Sequence, residues 1–284
     1  LPESFSKKLD EAFAKSQLCV GIDPHRELLE ENNYDLTVSG LERFSLDLLD
    51  QVSDVVSIAK PQVSFFESFG SAGFAVLERI LSEASSRGLL VIADAKRGDI
   101  GSTMQAYADA WLSKDAPFVC DALTVSPYLG VGSLAPAITA ASERGKGLFI
   151  LSATSNKEGK TIQTASAGDT TVANQVANEV AELNKVSSIS RGKFGHLGLV
   201  VGATLDRYKF GLGELNSGVT ELVTPILAPG FGAQGALLSQ ARMIFGLNAP
   251  NVIYSVSRSA LRDGMSGVKA AVASDVAELA EALG

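Results

Sequence analysis

"GLLVIADAKRGDIGST", residues 88–103, decides how the rest of the chain is read. It opens as a continuous apolar run, Leu89 to Ala93, and then sets Asp94, Lys96, Arg97 and Asp99 at the end of that run. An apolar run without polar alternation fits a strand buried on both faces. Charges at the end of such a strand are costly unless each is paired. Four of them in six residues therefore call for a function.

Working outward, seven further runs have the same character. They are "QLCVGI" (17–22), "VVSIA" (55–59), "FVCDALTV" (118–125), "GLFILSA" (147–153), "HLGLVVGA" (196–203), "LVTPILAPG" (222–230) and "NVIYSVS" (251–257). Segments of helical period lie between them. In "GLERFSLDLLDQV", Leu41, Phe44, Leu48 and Leu49 share one side. In "SAGFAVLERILSEAS", Phe74, Leu77, Ile80 and Leu81 do. "TTVANQVANEVAELNKV" and the closing "DVAELAEAL" continue the pattern. Eight β-then-α units predict an α/β chain folded as a (β/α)8 TIM barrel, with residues 1–284 as a single domain. An open doubly wound sheet is the alternative, but no Gly-x-Gly-x-x-Gly follows the first run. The polar stretch 155–170, "SNKEGKTIQTASAGDT", has no apolar period and reads as a long loop, either a lid or disordered.

Twenty-four basic and 32 acidic residues give a net charge of −8. That balance argues against non-specific binding to nucleic acid or to an anionic membrane. An anionic ligand would need local positive groups. Cys19 and Cys120 both sit in strand-like text and are expected as buried, reduced thiols. "LPESFSKKLDEAF" has no apolar secretory core, and no run approaches the roughly 20 apolar residues of a membrane span, so a cytoplasmic location is expected.

In a barrel of this kind, chemistry collects where strands end. The first run ends in Asp23-Pro24, the second in Lys60, the third in Asp94 and Lys96. The fifth runs into Ser152, Thr154 and Ser155, the seventh into "PGFGAQG" (229–235), and the eighth into Arg258. Each residue alone has a plain structural explanation. Asp23 suits a turn before proline, Asp99 suits the cap of a helix starting near Ile100, and His25 and His196 suit structural or surface roles. Together they suggest more. Asp94 and Lys96 share a face if strand geometry continues, and Lys60 on the neighbouring strand would complete a Lys–Asp–Lys array. The "GFGAQGA" glycines, Gln234, a following helix start and Arg258 suggest an anion site at strands seven and eight. Two histidines far apart make a zinc site a poor prospect.

Asp94-x-Lys96-x-x-Asp99-Ile100-x-x-Thr103, preceded by Lys60, resembles the orotidine 5′-phosphate decarboxylase family. So do "VGIDP", "AKPQVSFFE", "TVSPYLG", "PGFGAQG" and "SVSRS", and the wording is similar to its longer, bacterial-type branch. The resemblance implies decarboxylation of orotidine 5′-monophosphate to UMP, with neither metal nor organic cofactor. It implies Lys60, Asp94, Lys96 and Asp99 as the charged tetrad, and Asp23 on the ribose hydroxyls. Ser155 would read the pyrimidine edge, with Ser152 and Thr154 close by as alternatives. Gln234 and Arg258 would hold the phosphate. Asp99, Ile100 and Thr103 would reach the partner's site in a homodimer. Related barrel decarboxylases of sugar phosphates share Asp-x-Lys-x-x-Asp but need Mg²⁺ and carry Glu where Lys60 stands. A non-catalytic nucleotide sensor is the reading from a different class.

Overall fold

The computed structural model describes residues 3–186, 192–217 and 222–284. Eight parallel strands close into a barrel in sequence order. They are β1 (Leu18–Ile22), β2 (Ile58–Pro61), β3 (Leu90–Arg97), β4 (Ala122–Val125), β5 (Gly147–Ala153), β6 (Leu197–Val201), β7 (Ile226–Pro229) and β8 (Val252–Val256). Each falls within, or overlaps, one of the eight apolar runs. The open-sheet alternative is thereby excluded.

Strand side chains alternate between two packing layers. Cys19, Ile58, Leu90, Ile92, Ala122, Phe149, Leu227 and Ile253 fill the barrel interior. Their neighbours, among them Val20, Ala59, Val91, Ala93 and Leu123, face the surrounding helices. Burial on both sides explains why the runs lack polar alternation. Helix α1 (Phe5–Lys15) closes the amino-terminal end of the barrel by adding Phe5, Leu9 and Ala12 to the interior layer. Gly147 permits that closure: a Cβ there would stand 2.7 Å from the Phe5 ring. The opposite, carboxyl-terminal end stays open.

The predicted helices form with their apolar sides inward. Helix α3 (Val38–Val52) buries Leu41, Phe44, Leu48 and Leu49. Thr37 caps it by accepting from the Gly40 N–H at 3.2 Å. Helix α5 (Gly70–Ser86) buries Leu77, Ile80 and Leu81, while Phe74 is half-buried against Phe118. Among the described residues no helix is long and apolar enough to cross a membrane. Cys19 and Cys120 are buried and unpaired, and burial pushes each thiol up to about 12.

The stretch 155–170 departs from the loop expectation. It contains a short helix, α8 (Gly159–Gln163), and a hairpin pairing Ser166–Ala167 with Thr170–Thr171. Both rest on polar contacts, which explains the missing apolar period. Gln163 donates to the Thr154 hydroxyl at 2.8 Å and accepts from the Thr154 N–H at 2.9 Å.

His196, just before β6, is 4% exposed. Burial pushes its imidazole down to about 4. The unfolded chain takes up this proton near 6.5, so stability is unaffected above that pH and falls as pH drops toward 4. The full effect is about 3 kcal/mol. Urea unfolding at pH 7 and pH 4.5 should therefore show a smaller acid loss in His196→Gln than in the wild type. Equal losses would show that the imidazole takes up its proton freely in the folded state.

Candidate active site

The alternation that fills the barrel also aims the charges. Ile58 points inward, so Lys60 two residues on does too. Leu90 and Ile92 point inward, and Asp94 follows. Lys60 and Asp94 are 5% and 8% exposed, and their side chains meet at the open end. Lys60 Nζ donates to Asp94 Oδ2 at 3.0 Å, and Lys96 Nζ donates to Asp94 Oδ1 at 2.6 Å. Lys96 is the accessible end of the array, with 44% of its side chain exposed.

Burial alone would raise the Asp94 carboxyl, but Lys60 and Lys96 outweigh it and hold the group well below the usual carboxylate range. Burial would likewise lower Lys60, and Asp94 with Asp23 instead holds it above its ordinary value. Both groups are thus ionised throughout the neutral range. The result is a fixed alternation of charge whose Lys60 and Asp94 members are buried and whose Lys96 end is accessible.

Asp23 stands at the end of β1 beside this pair. A Cβ at Gly21 would stand 3.1 Å from Asp23 Oδ2, so the glycine makes room for the carboxylate to lie back over the strand. Asp23 Oδ1 is buried and accepts no hydrogen bond among the described residues. An unsatisfied buried carboxylate oxygen is costly, and hydroxyl groups of a ligand would satisfy it. Asp23, Lys60, Gln234 and Arg258 all line one cavity of about 430 Å³.

The 229–235 loop folds on itself. Gly232 N–H donates to Ala236 O, and Gly235 N–H donates to Gly232 O, both at 2.9 Å. Gly230, Gly232 and Gly235 have φ of 116°, 73° and 104°, conformations open chiefly to glycine. The expected helix start is not there: after a short turn at Leu238–Gln240, only a five-residue helix follows at Ala241–Phe245. The loop's own backbone, not a helix terminus, therefore faces the cavity. Gln234 is exposed, and its Oε1 accepts from the Ser155 hydroxyl at 3.4 Å, linking the ends of β5 and β7. Ser152 instead donates to Ala173 O within the protein, and Thr154 is held by Asn156 and Gln163. Of these three residues, Ser155 alone reaches across the mouth. Arg258 is exposed and forms no ion pair among the described residues.

Asp99 is not the helix cap. Helix α6 (Gly101–Trp111) has Ile100 at its N-cap position, and Asp99 Oδ1 accepts from the adjacent Ile100 N–H at 2.7 Å. Within this chain, no hydrogen bond or ion pair among the described residues joins Asp99 to the Lys60–Asp94–Lys96 array. Thr103 is exposed, as is Ile100 at 61%. Tyr128 and Leu129, in the loop after β4, are exposed at 77% and 54%. His25 caps the short helix α2 (Arg26–Glu31), a structural role in keeping with its sequence reading.

Two side chains in contact with the array are not among the site residues expected from the sequence, although Gln62 lies within "AKPQVSFFE" and Thr124 opens "TVSPYLG". Gln62 Oε1 accepts from Lys96 Nζ at 3.4 Å. The Thr124 hydroxyl donates to Asp94 Oδ1 at 2.9 Å. Among the described residues, no three His, Cys, Asp or Glu side chains are grouped to hold a metal ion. Both Asp94 oxygens are already taken by ammonium groups.

Known proteins are similar to this chain along nearly its whole length. A curated orotidine 5′-phosphate decarboxylase of Streptomyces coelicolor is 48% identical over 265 residues, covering 92% of this chain and 91% of the relative. The enzyme of that name from Salinispora arenicola is 46% identical over 264 residues, with 92% and 91% covered. A crystal structure described as an orotidine 5′-phosphate decarboxylase from Streptomyces avermitilis superposes with a TM-score of 0.89 at 45% identity, covering 99% of this chain and 96% of that one. The family model for orotidine 5′-phosphate decarboxylase / HUMPS matches residues 16–259, a span that opens just before β1 and closes just past Arg258. Every strand end that lines the mouth lies inside that match, and the chain belongs to the orotidine 5′-phosphate decarboxylase / HUMPS family.

Proposed function

We propose that the protein decarboxylates orotidine 5′-monophosphate to UMP in de novo pyrimidine biosynthesis, without metal or organic cofactor. The observation that carries this reading is the Lys60–Asp94–Lys96 array, placed at the barrel mouth beside Asp23, Gln234 and Arg258. In the reaction the bond from C6 to the carboxylate breaks, CO₂ leaves, and the electron pair stays on C6. The ring offers that pair no ordinary electron sink. The Lys96 ammonium stabilises it and supplies the proton, then regains one from solvent. Asp94 stands near the substrate carboxylate and keeps Lys96 in place. Lys60 neutralises Asp94 from the other side.

The remaining residues bind and orient the substrate. Asp23, helped by Lys60, takes the ribose hydroxyls. Ser155 reads the pyrimidine edge. Gln234, the glycine loop and Arg258 take the phosphate. Binding energy from that remote group helps lower the barrier at C6. Two copies form a homodimer in which Asp99, Ile100 and Thr103 of one complete the site of the other. The exposure of Ile100, next to Asp99, and of Tyr128 and Leu129 in the loop after β4 supports an apolar contact at this end of the barrel.

The test is the ultraviolet absorbance decay of orotidine 5′-monophosphate with purified protein, with and without EDTA. Equal decay in both, with one UMP formed per substrate lost, is expected. Decay abolished by EDTA would overturn the metal-free mechanism, and no decay from folded protein would point to the Mg²⁺-dependent sugar-phosphate relatives. Tight UMP binding without turnover would point to a nucleotide sensor.

A further inference from the structure

The β3–β4 ladder is irregular at the charged array. Ile92 pairs with Ala122 and Ala93 with Leu123, but the next pair is Arg97 with Val125. Three residues of β3, Asp94, Ala95 and Lys96, thus face a single residue of β4, Thr124. On its other side β3 keeps its register, from Ile58 opposite Leu90 to Gln62 opposite Asp94. The extra length is therefore absorbed entirely against Thr124. Bulges of this sort redirect side chains beside active sites.

Lys96 bears the consequence. Its φ is 49°, a left-handed conformation that residues with a Cβ hold only when their surroundings impose it. Its N–H, displaced from the ladder, donates to Thr124 Oγ1 at 2.9 Å. Because that oxygen accepts from Lys96, its own proton is free for Asp94 Oδ1, also at 2.9 Å. Asp94 Oδ1 in turn accepts from Lys96 Nζ. One hydroxyl thus ties both ends of Lys96 into a closed ring, and Thr124 is only 1% exposed.

We infer that Thr124 is a positioning residue for the reaction: its hydroxyl holds the strained Lys96 backbone and the Asp94 carboxylate so that Nζ stands where C6 is protonated. This rests on the decarboxylase reading above. The hydroxyl serves turnover rather than binding, because its two partners are the lysine backbone and the carboxylate that orients the ammonium. Thr124→Val keeps the shape and removes the hydroxyl, leaving the Lys96 N–H unpaired. Thr124→Ser keeps the hydroxyl. We expect Thr124→Val to lower kcat about 10- to 100-fold, since small misplacements of a reacting group have effects of that size. The KM for orotidine 5′-monophosphate and the Kd for UMP should stay within about threefold, and Thr124→Ser should keep kcat within about threefold.

Equal kcat losses in the two variants would overturn the inference, as would an unchanged kcat in Thr124→Val. So would a change confined to KM. If Thr124→Val does not fold, Thr124→Ala takes its place in the comparison with Thr124→Ser. A wild type that does not turn over the substrate would remove the decarboxylase reading itself. An active wild type with an indifferent Thr124→Val would remove only the role of Thr124.

Discussion

Lys96→Ala is expected to lower kcat by about 10⁴-fold or more while UMP still binds. General acid catalysis contributes typically 10²- to 10⁴-fold, and a fixed charge facing the developing anion contributes about 10²- to 10³-fold. Lys96 is assigned both tasks, and such contributions overlap rather than multiply in full. The variant should fold normally. The lost side chain is 44% exposed, and Asp94 keeps its buried partner Lys60. Turnover is followed by substrate absorbance, and UMP binding by calorimetry. A kcat within tenfold of wild type, from protein that binds UMP, would take the proton-donor role away from Lys96.

Arg258→Ala should lower kcat/KM about 10³-fold. Charge-assisted hydrogen bonds contribute about 1.5–3 kcal/mol each, and a guanidinium can make two to one phosphate. Arg258 is exposed and without an ion pair among the described residues, so its removal strands no buried charge and the melting temperature should hold. The phosphate lies far from C6, yet its binding energy is expected to appear in the rate constant. The control is orotidine, which lacks the phosphate: its slow turnover should be indifferent to Arg258→Ala. A kcat/KM for the phosphorylated substrate within threefold of wild type would remove Arg258 from the phosphate site. Equal losses with both substrates would show that the arginine acts on something other than phosphate.

Much of the fold is legible in the sequence because one physical fact repeats eight times. A strand buried on both faces admits few polar residues until it leaves the barrel, so "GLLVIAD" and "NVIYSVS" mark both the strand and its exit. Lys60 and Asp94 are legible for the same reason: a charge two residues beyond an interior position must face the mouth. The meeting of Lys96 with Asp94 is also expected from the sequence, but by a different route. Strand alternation would bring them to one face. The structure brings them together through a bulge and a left-handed residue. Register between strands is a property of the pair, which neither strand's text contains. For the same reason Thr124 and Gln62, though they lie in the quoted motifs "TVSPYLG" and "AKPQVSFFE", give no sign in the text that they touch the array. The 155–170 stretch was legible only as polar, since its helix is held through Gln163 and its hairpin through Ser166, Thr170 and Thr171 by side-chain hydrogen bonds rather than by an apolar face. The "GFGAQG" loop shows the limit of glycine patterns: the tight turn is there, and the helix that usually follows is not.

Asp99 carries the central claim of the proposal, in which a second subunit supplies it to close the tetrad. Lys96→Ala and Asp99→Ala homodimers should each be inactive and each bind UMP. After subunit exchange in mild denaturant and return to buffer, half the dimers are mixed, and each mixed dimer holds one site with both residues intact. The mixture should recover about one quarter of wild-type activity. No recovery in a mixture shown to have exchanged subunits, or full activity in Asp99→Ala alone, would contradict a site built from Lys60, Asp94 and Lys96 of one chain and Asp99 of the other.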